Sequence, residues 1–266
     1  MRIPIYQVDA FTDRLFAGNP AAVCLLGSWP EDAFLQSIAA ENNLSETAFL
    51  VKDGARYQLR WMTPVTEVAL CGHATLAATF VIFNFVEPAR VELVFDTLSG
   101  ELRVRRGDHQ LQMDFPSLPP ERCACPSALS AALGTQPREV LQSAQYYVAR
   151  FDSAADILAL QPDMEKLKTL DRMATIVTAP GDTEDCVSRV FGPKVGIPED
   201  PVTGSAHSIL TPYWAARLGQ SHVHARQLSA RGGELFCELR GDRVSIAGQA
   251  VLYMQGEIHL DRARPD

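Results

Sequence analysis

Two stretches of the chain run through the same order of events, and that order limits what it can fold into. At Arg60–Pro64 the segment RWMTP ends a strand-like run, and the chain turns, reaches Gly72-His73 and enters an apolar helix with Leu76, Phe80, Val81 and Phe83 at helical spacing. At Arg189–Pro193 the segment RVFGP does the same and leads to Gly204-Ser205 and a second apolar helix. Strand, turn, glycine and helix in duplicate predict two similar domains, each built around its own helix. Pro212 falls inside the second predicted helix, where it would kink the helix or shorten its regular part.

The remaining periodicity fits a strand-rich α/β chain. Ile3–Phe11 and Ala21–Leu26 read as strands separated by the Gly18-Asn19-Pro20 turn, and Thr47–Val51, Tyr57–Met62, Val91–Phe95, Glu101–Arg105 and Leu111–Phe115 follow. Ser28 and Glu31 form a capping-box pattern ahead of a helix that ends near Asn42 and Asn43. The prolines at 116, 119, 120 and 126 mark the clearest linker, which places one domain at residues 1–116 and the other at 117–266. In the second domain Tyr146–Phe151 and Ala174–Thr178 read as strands with a helix over Gln161–Leu170 between them. Strand-like alternation returns from Leu235 to Leu260, and the final strand is free to cross back to the first.

Several functions are disfavoured. The formal net charge is −8 and no dense Lys/Arg block occurs, so the footprint of a nucleic-acid binder is missing. Val68–Val86 contains no charged residue, but Gly72, His73 and Asn84 interrupt it and Glu67 and Glu87 flank it, which suits a buried turn and core helix better than a membrane span. The six cysteines form no C-x-x-C pair and the N-terminus lacks a signal-peptide pattern, so they read as reduced thiols of a cytoplasmic protein. Cys123 and Cys125 have no matching second pair, His222 and His224 no third ligand, and no metal site is expected from them.

The residues that can carry chemistry cluster around the two helix starts. The first N–H groups of a helix lack internal partners and the dipole favours an anion there, so Gly72-His73 and Gly204-Ser205 could hold a carboxylate without an arginine, or could simply be helix caps. Glu46, at the mouth of an apolar strand in NLSETAFL, is either a solvated strand-end carboxylate or an acid–base group, because a carboxyl drawn partly out of water suits two-way proton transfer. Asp200, beside Glu199, either complements the helix dipole or acts as a second acid–base group. His73 can donate to a carboxylate or carry a proton.

Four strings in order, DAFTDRLFAGNPAAV at Asp9–Val23, NLSETAFL at Asn43–Leu50, TPVTEVALCGHATLA at Thr63–Ala77 and GIPEDPVTGSAH at Gly196–His207, resemble the PhzF (phenazine-biosynthesis-like) family. The resemblance implies an α/β fold like diaminopimelate epimerase, with two pseudo-symmetric domains, each a curved mixed sheet or barrel around a central helix, and the active site in the cleft between them. It implies an isomerase or epimerase that moves a proton between carbons of a small carboxylate-bearing substrate with neither metal nor coenzyme, as the phenazine-pathway member does on a dihydro-hydroxyanthranilate. The family's acid–base glutamate falls on Glu46, and its histidine, aspartate and serine on His73, Asp200 and Ser205. Gly72, His73, Gly204, Ser205, Asn19 and Ser45 are the implied substrate-binding residues, and a homodimer is the implied assembly. Cys71 matches the first thiol base of the two-cysteine racemases, but Pro201 stands where the second thiol is expected. The alternative from another class is a non-catalytic carboxylate-binding protein on the same fold.

Overall fold

The computed structural model describes residues 2–260. The described chain divides into two compact units: one takes the chain up to Asp114 and again from Gly248, the other Phe115–Ala247. The sequence assigns 117–266 to a second domain with the final strand free to cross back to the first, and from Gly248 onward the described chain does cross back. The reason is strand pairing. Ala250–His259 lies antiparallel to the first strand, from Arg2↔His259 to Ala10↔Ala250, and is bonded into the first unit.

The first unit contains β1 (Arg2–Ala10), β2 (Asn19–Leu26), α1 (Asp32–Asn42), β3 (Glu46–Asp53), β4 (Arg56–Met62), β5 (Glu67–Val68), α2 (Gly72–Val81), β6 (Glu92–Thr97), β7 (Gly100–Arg106) and β8 (Leu111–Pro116). Strand pairs β1/β2, β3/β4, β6/β7 and β7/β8 are antiparallel, while β2/β3 and β4/β6 are parallel and carry the helices α1 and α2 in their crossovers. Every residue of α2 except Phe80 is buried, and the helix packs against β1, β2, β3 and the C-terminal strand. A helix apolar all round can exist in a small unit only when strands wrap it.

The Ser28–Glu31 capping box does not form. Trp29 is anchored to β4 by its ring N–H on the Gln58 side-chain oxygen and by the Arg60 guanidinium over its ring, and Pro30 follows. That holds the segment extended, so the helix begins only at Asp32, with no side-chain bond at its N-cap. It ends as expected, at a left-handed Asn43.

The second unit contains β9 (Glu121–Arg122), α3 (Ser127–Leu133), β10 (Glu139–Gln142), β11 (Tyr146–Arg150), α4 (Ala154–Ala159), α5 (Met164–Lys168), β12 (Ala174–Ala179), β13 (Cys186–Gly192), β14 (Ile197–Asp200), α6 (Gly204–Leu218), β15 (His222–Gln227), β16 (Gly233–Arg240) and β17 (Arg243–Gly248). The predicted 161–170 helix is shorter than expected because Asp163 accepts bonds from the N–H groups of Glu165 and Lys166 and starts the helix there. A true capping box, Ser153 with Asp156, starts the neighbouring α4. The helix α6 runs through Pro212 as one element and is buried through most of its length. No helix of the described residues is long and apolar enough to cross a membrane.

The duplication visible in the sequence is a duplication of topology. In the first unit β3 pairs antiparallel with β4, β4 antiparallel with β5, and after α2 the chain returns as β6, parallel to β4. In the second, β12 pairs antiparallel with β13, β13 antiparallel with β14, and after α6 the chain returns as β15, parallel to β13. Each copy is fastened by the same fork. Arg60 donates from Nε and NH2 to the two oxygens of Glu67 at 2.7 Å each, and Arg189 donates to those of Glu199 at 2.8 and 3.0 Å. Glu67 precedes Gly72 by the same interval as Glu199 precedes Gly204, so the extra residues of the second copy fall before Glu199, where the turn Pro193–Val195 is inserted.

Candidate active site

The first helix start is assembled from three directions. The loop after β1 is held in an uncommon conformation, with Phe11, Phe16 and Gly18 all at positive φ and the Phe16 N–H donating to Asp9 Oδ2 at 3.0 Å. It delivers Asn19 to the first position of β2, fully buried, where its amide Nδ2 lies 3.2 Å from His73 Nδ1. Gly18 is required there: its φ is +66°, and a Cβ would stand 2.2 Å from the carbonyl oxygen of Ala10. Gly18→Ala is expected to cost roughly 2–4 kcal/mol in urea denaturation. An unchanged midpoint and slope would show that the loop does not need this conformation.

Glu46 is brought in by parallel pairing, opposite Ala21 on β2, and is 7% exposed. Its Oε2 lies 3.1 Å from His73 Nε2, and His73 itself is 4% exposed. Cys71 is the N-cap of α2, with its sulfur 3.4 Å from His73 Nδ1. Gly72 opens the helix and is buried, while Ser45 stands half-buried next to Glu46. The structure thus brings Asn19 and Glu46 to the His73 imidazole beside Gly72, and adds Cys71 as a direct neighbour of the ring.

Burial alone would push His73 down, but the charges of Cys71 and Glu46 and their hydrogen bonds outweigh it and hold the ring well above the usual imidazole range. Burial, reinforced by Glu46, pushes the Cys71 thiol up to about 11 and keeps it protonated. The Asn19 amide nitrogen can donate to Nδ1 only of a neutral ring, whose proton then sits on Nε2 facing Glu46; the imidazolium needs the amide turned so that its oxygen meets Nδ1–H. The arrangement is a buried carboxylate–imidazole pair at a helix N-terminus whose N-cap side chain makes no capping bond.

The second helix start is a separate cluster. Asp200 ends β14, half-buried, and accepts from the Thr203 hydroxyl at 2.6 Å. Thr203 is the N-cap of α6, yet its side chain makes no capping bond. The fully buried amide of Gln227 fixes the turn: its oxygen accepts from Thr203 N–H at 2.9 Å, and its Nε2 donates to the Asp200 carbonyl at 2.7 Å and lies 3.2 Å from Thr203 Oγ1. Ser205, in the first turn of the helix, lies 3.2 Å from the Tyr146 hydroxyl. Glu199 is engaged by Arg189, so of the two adjacent acids Asp200 is the one that belongs to this cluster. Within the duplicated topology Thr203, not Pro201, corresponds to Cys71, and a hydroxyl takes the place of the second thiol.

Sequence reasoning missed Thr203, Gln227, Tyr146 and His207. The last is buried with Nδ1 2.9 Å from the Thr203 carbonyl, which makes that nitrogen the donor. Burial pushes its ring down to about 4 from an ordinary 6.5. Because the folded value lies below the unfolded one, the neutral ring's contribution is complete above about pH 6.5 and is lost as pH falls toward about 4, of order 3 kcal/mol in all. Denaturation of His207→Gln should show a smaller loss between about pH 7 and 4.5 than the parent protein, by roughly that amount. Equal losses would remove His207 from the acid response.

Comparison with known proteins places these clusters in context. Residues 8–256 match the PhzC-PhzF family, described as phenazine biosynthesis-like protein. An uncharacterized isomerase of Pseudomonas aeruginosa is 53% identical over 260 residues, spanning 98% of this chain and 100% of that protein. The crystal structure of a PhzF-family phenazine biosynthesis protein from Enterococcus faecalis matches with a TM-score of 0.95 at 47% identity, covering 98% of this chain and 100% of that one. A predicted epimerase from Pseudomonas aeruginosa shares the fold alone, with a TM-score of 0.75 at 20% identity over 97% of this chain and 100% of its own. The architecture is thus the α/β epimerase-like fold.

Proposed function

This chain belongs to the PhzC-PhzF family of phenazine biosynthesis-like proteins, and on that premise we propose that it is an isomerase moving a proton between carbon positions of a small carboxylate-bearing substrate, with no metal or coenzyme in the reaction. The observation that carries this reading is the buried Glu46–His73 pair, 3.1 Å apart at the start of α2. A carboxylate and an imidazolium held together out of water can pass a proton in either direction with little reorganisation.

In the proposed sequence the substrate carboxylate rests against the first-turn N–H groups of α2, with Gly72 keeping the approach open and Asn19 and Ser45 adding polar contacts. Glu46 takes the proton from carbon. Negative charge spreads into the conjugated or carboxylate-bearing system, where the helix dipole and His73 favour it. Glu46 then returns the proton to a second carbon.

Isotope exchange tests the proposal. Incubation with small carboxylic and amino acids in heavy water should give protein-dependent incorporation of deuterium at carbon in at least one substrate, dihydro-hydroxyanthranilate being included in the panel. Ligands that bind without any incorporation would make the protein a carboxylate binder instead.

A further inference from the structure

Cys71 has no task in the proton transfer above, yet its sulfur sits in the middle of it. The sulfur lies 3.4 Å from Nδ1 and 4.0 Å from Nε2 of His73, and Glu46 Oε2 is 3.1 Å from Nε2. One ligand atom from each of Glu46, Cys71 and His73 falls within 4.8 Å of the others, and all three residues are buried. Ligands held about 2.0–2.3 Å from a tetrahedral zinc ion stand roughly 3.3–3.8 Å apart. The three side chains are therefore within about an ångström of that geometry. Thiolate, imidazole and carboxylate form a ligand set that a borderline-soft divalent ion accepts, whereas Mg2+ or Ca2+ would find too few oxygens.

We propose that Glu46, Cys71 and His73 form a three-ligand site for Zn2+ whose occupation stops proton transfer. The inhibitory half rests on the function proposed above, but the binding half does not. On binding, Cys71 gives its thiol proton to solvent, and His73 releases the proton of the coordinating nitrogen. Glu46 and the new thiolate then neutralise the dication, so the filled site carries no net charge into a buried setting. Coordination through Nε2 leaves Nδ1–H to be satisfied, and rotation of the Asn19 amide turns its oxygen toward that proton. A fourth position remains for water or a substrate carboxylate. Zinc takes the Glu46 lone pair, which is why an occupied site cannot accept a proton from carbon.

The test uses the whole, metal-stripped protein titrated with Co2+ and then Zn2+. One Co2+ per chain should produce a thiolate-to-cobalt charge-transfer band in the near ultraviolet, displaced by one equivalent of Zn2+. The band should survive Cys123→Ser/Cys125→Ser and His222→Ala/His224→Ala, which remove the more exposed thiols and the histidine pair of β15. It should vanish in Cys71→Ser, with Zn2+ affinity by chelator competition falling roughly tenfold or more while circular dichroism stays unchanged. Absence of the band in the parent protein, or equal Zn2+ affinity in Cys71→Ser, overturns the site. The two readings also fail separately. Zinc bound at the trio with deuterium exchange intact keeps the site and removes Glu46 from catalysis, whereas exchange with no zinc uptake does the reverse.

Discussion

Glu46→Gln should lower deuterium exchange into substrate carbon by about three orders of magnitude, within the range that loss of a general base produces. The substitution keeps the shape of the side chain and allows an amide oxygen to face His73 Nε2, 3.1 Å from the present carboxylate, so the fold should survive it. What disappears is the ability to take a proton and to serve as the anion for the imidazolium. Glu46→Asp should recover only a small part, because drawing the carboxylate back by one methylene breaks the alignment on which proton transfer depends. A variant that keeps near-normal exchange would end the assignment of Glu46 as the acid–base group.

The second large effect is on stability. His73→Ala leaves the Glu46 carboxylate buried without its cation, and breaking such a pair costs about 3–5 kcal/mol. The double variant Glu46→Gln/His73→Ala removes both charges and should regain part of that loss, with a coupling of roughly 1–3 kcal/mol in the mutant cycle. The pH dependence follows from the direction of the His73 shift. Its folded value lies above the ordinary 6.5, so the stabilisation is fully present below about pH 6.5 and is lost as pH rises through the folded value. The parent protein should therefore lose stability on the alkaline side where His73→Ala does not. Additive single-variant losses and parallel pH curves would mean that the two groups are not coupled.

Much of this was legible from local pattern. The strand–turn–glycine–helix order was visible because a helix apolar on every side must be central, and α2 and α6 both are. Glu46 stood out because an acid opened an otherwise apolar strand, and the parallel register against Ala21 gives that position its burial. Other features depend on partners distant in sequence. Nothing local to Gln227 shows that its amide fastens Thr203 and Asp200, since that requires β15 to return parallel to β13. The Asn19–His73 contact needs the left-handed loop at Phe11, Phe16 and Gly18, a conformation unusual for aromatic residues. Ser28 and Glu31 matched a capping pattern that Trp29, tied to β4, prevents. The return of the C-terminal strand to β1, which the strand-like alternation up to Leu260 left open, is fixed by its long-range register from Arg2↔His259 to Ala10↔Ala250.

The central claim is that the Glu46–His73 pair moves a proton at carbon. The measurement that tests it most directly is mass-spectrometric deuterium uptake by a substrate in heavy water, with parent protein and Glu46→Gln prepared and assayed side by side. Uptake by the parent at a defined carbon, reduced to background in Glu46→Gln at unchanged circular dichroism, is the predicted result. Equal uptake with both proteins would contradict it.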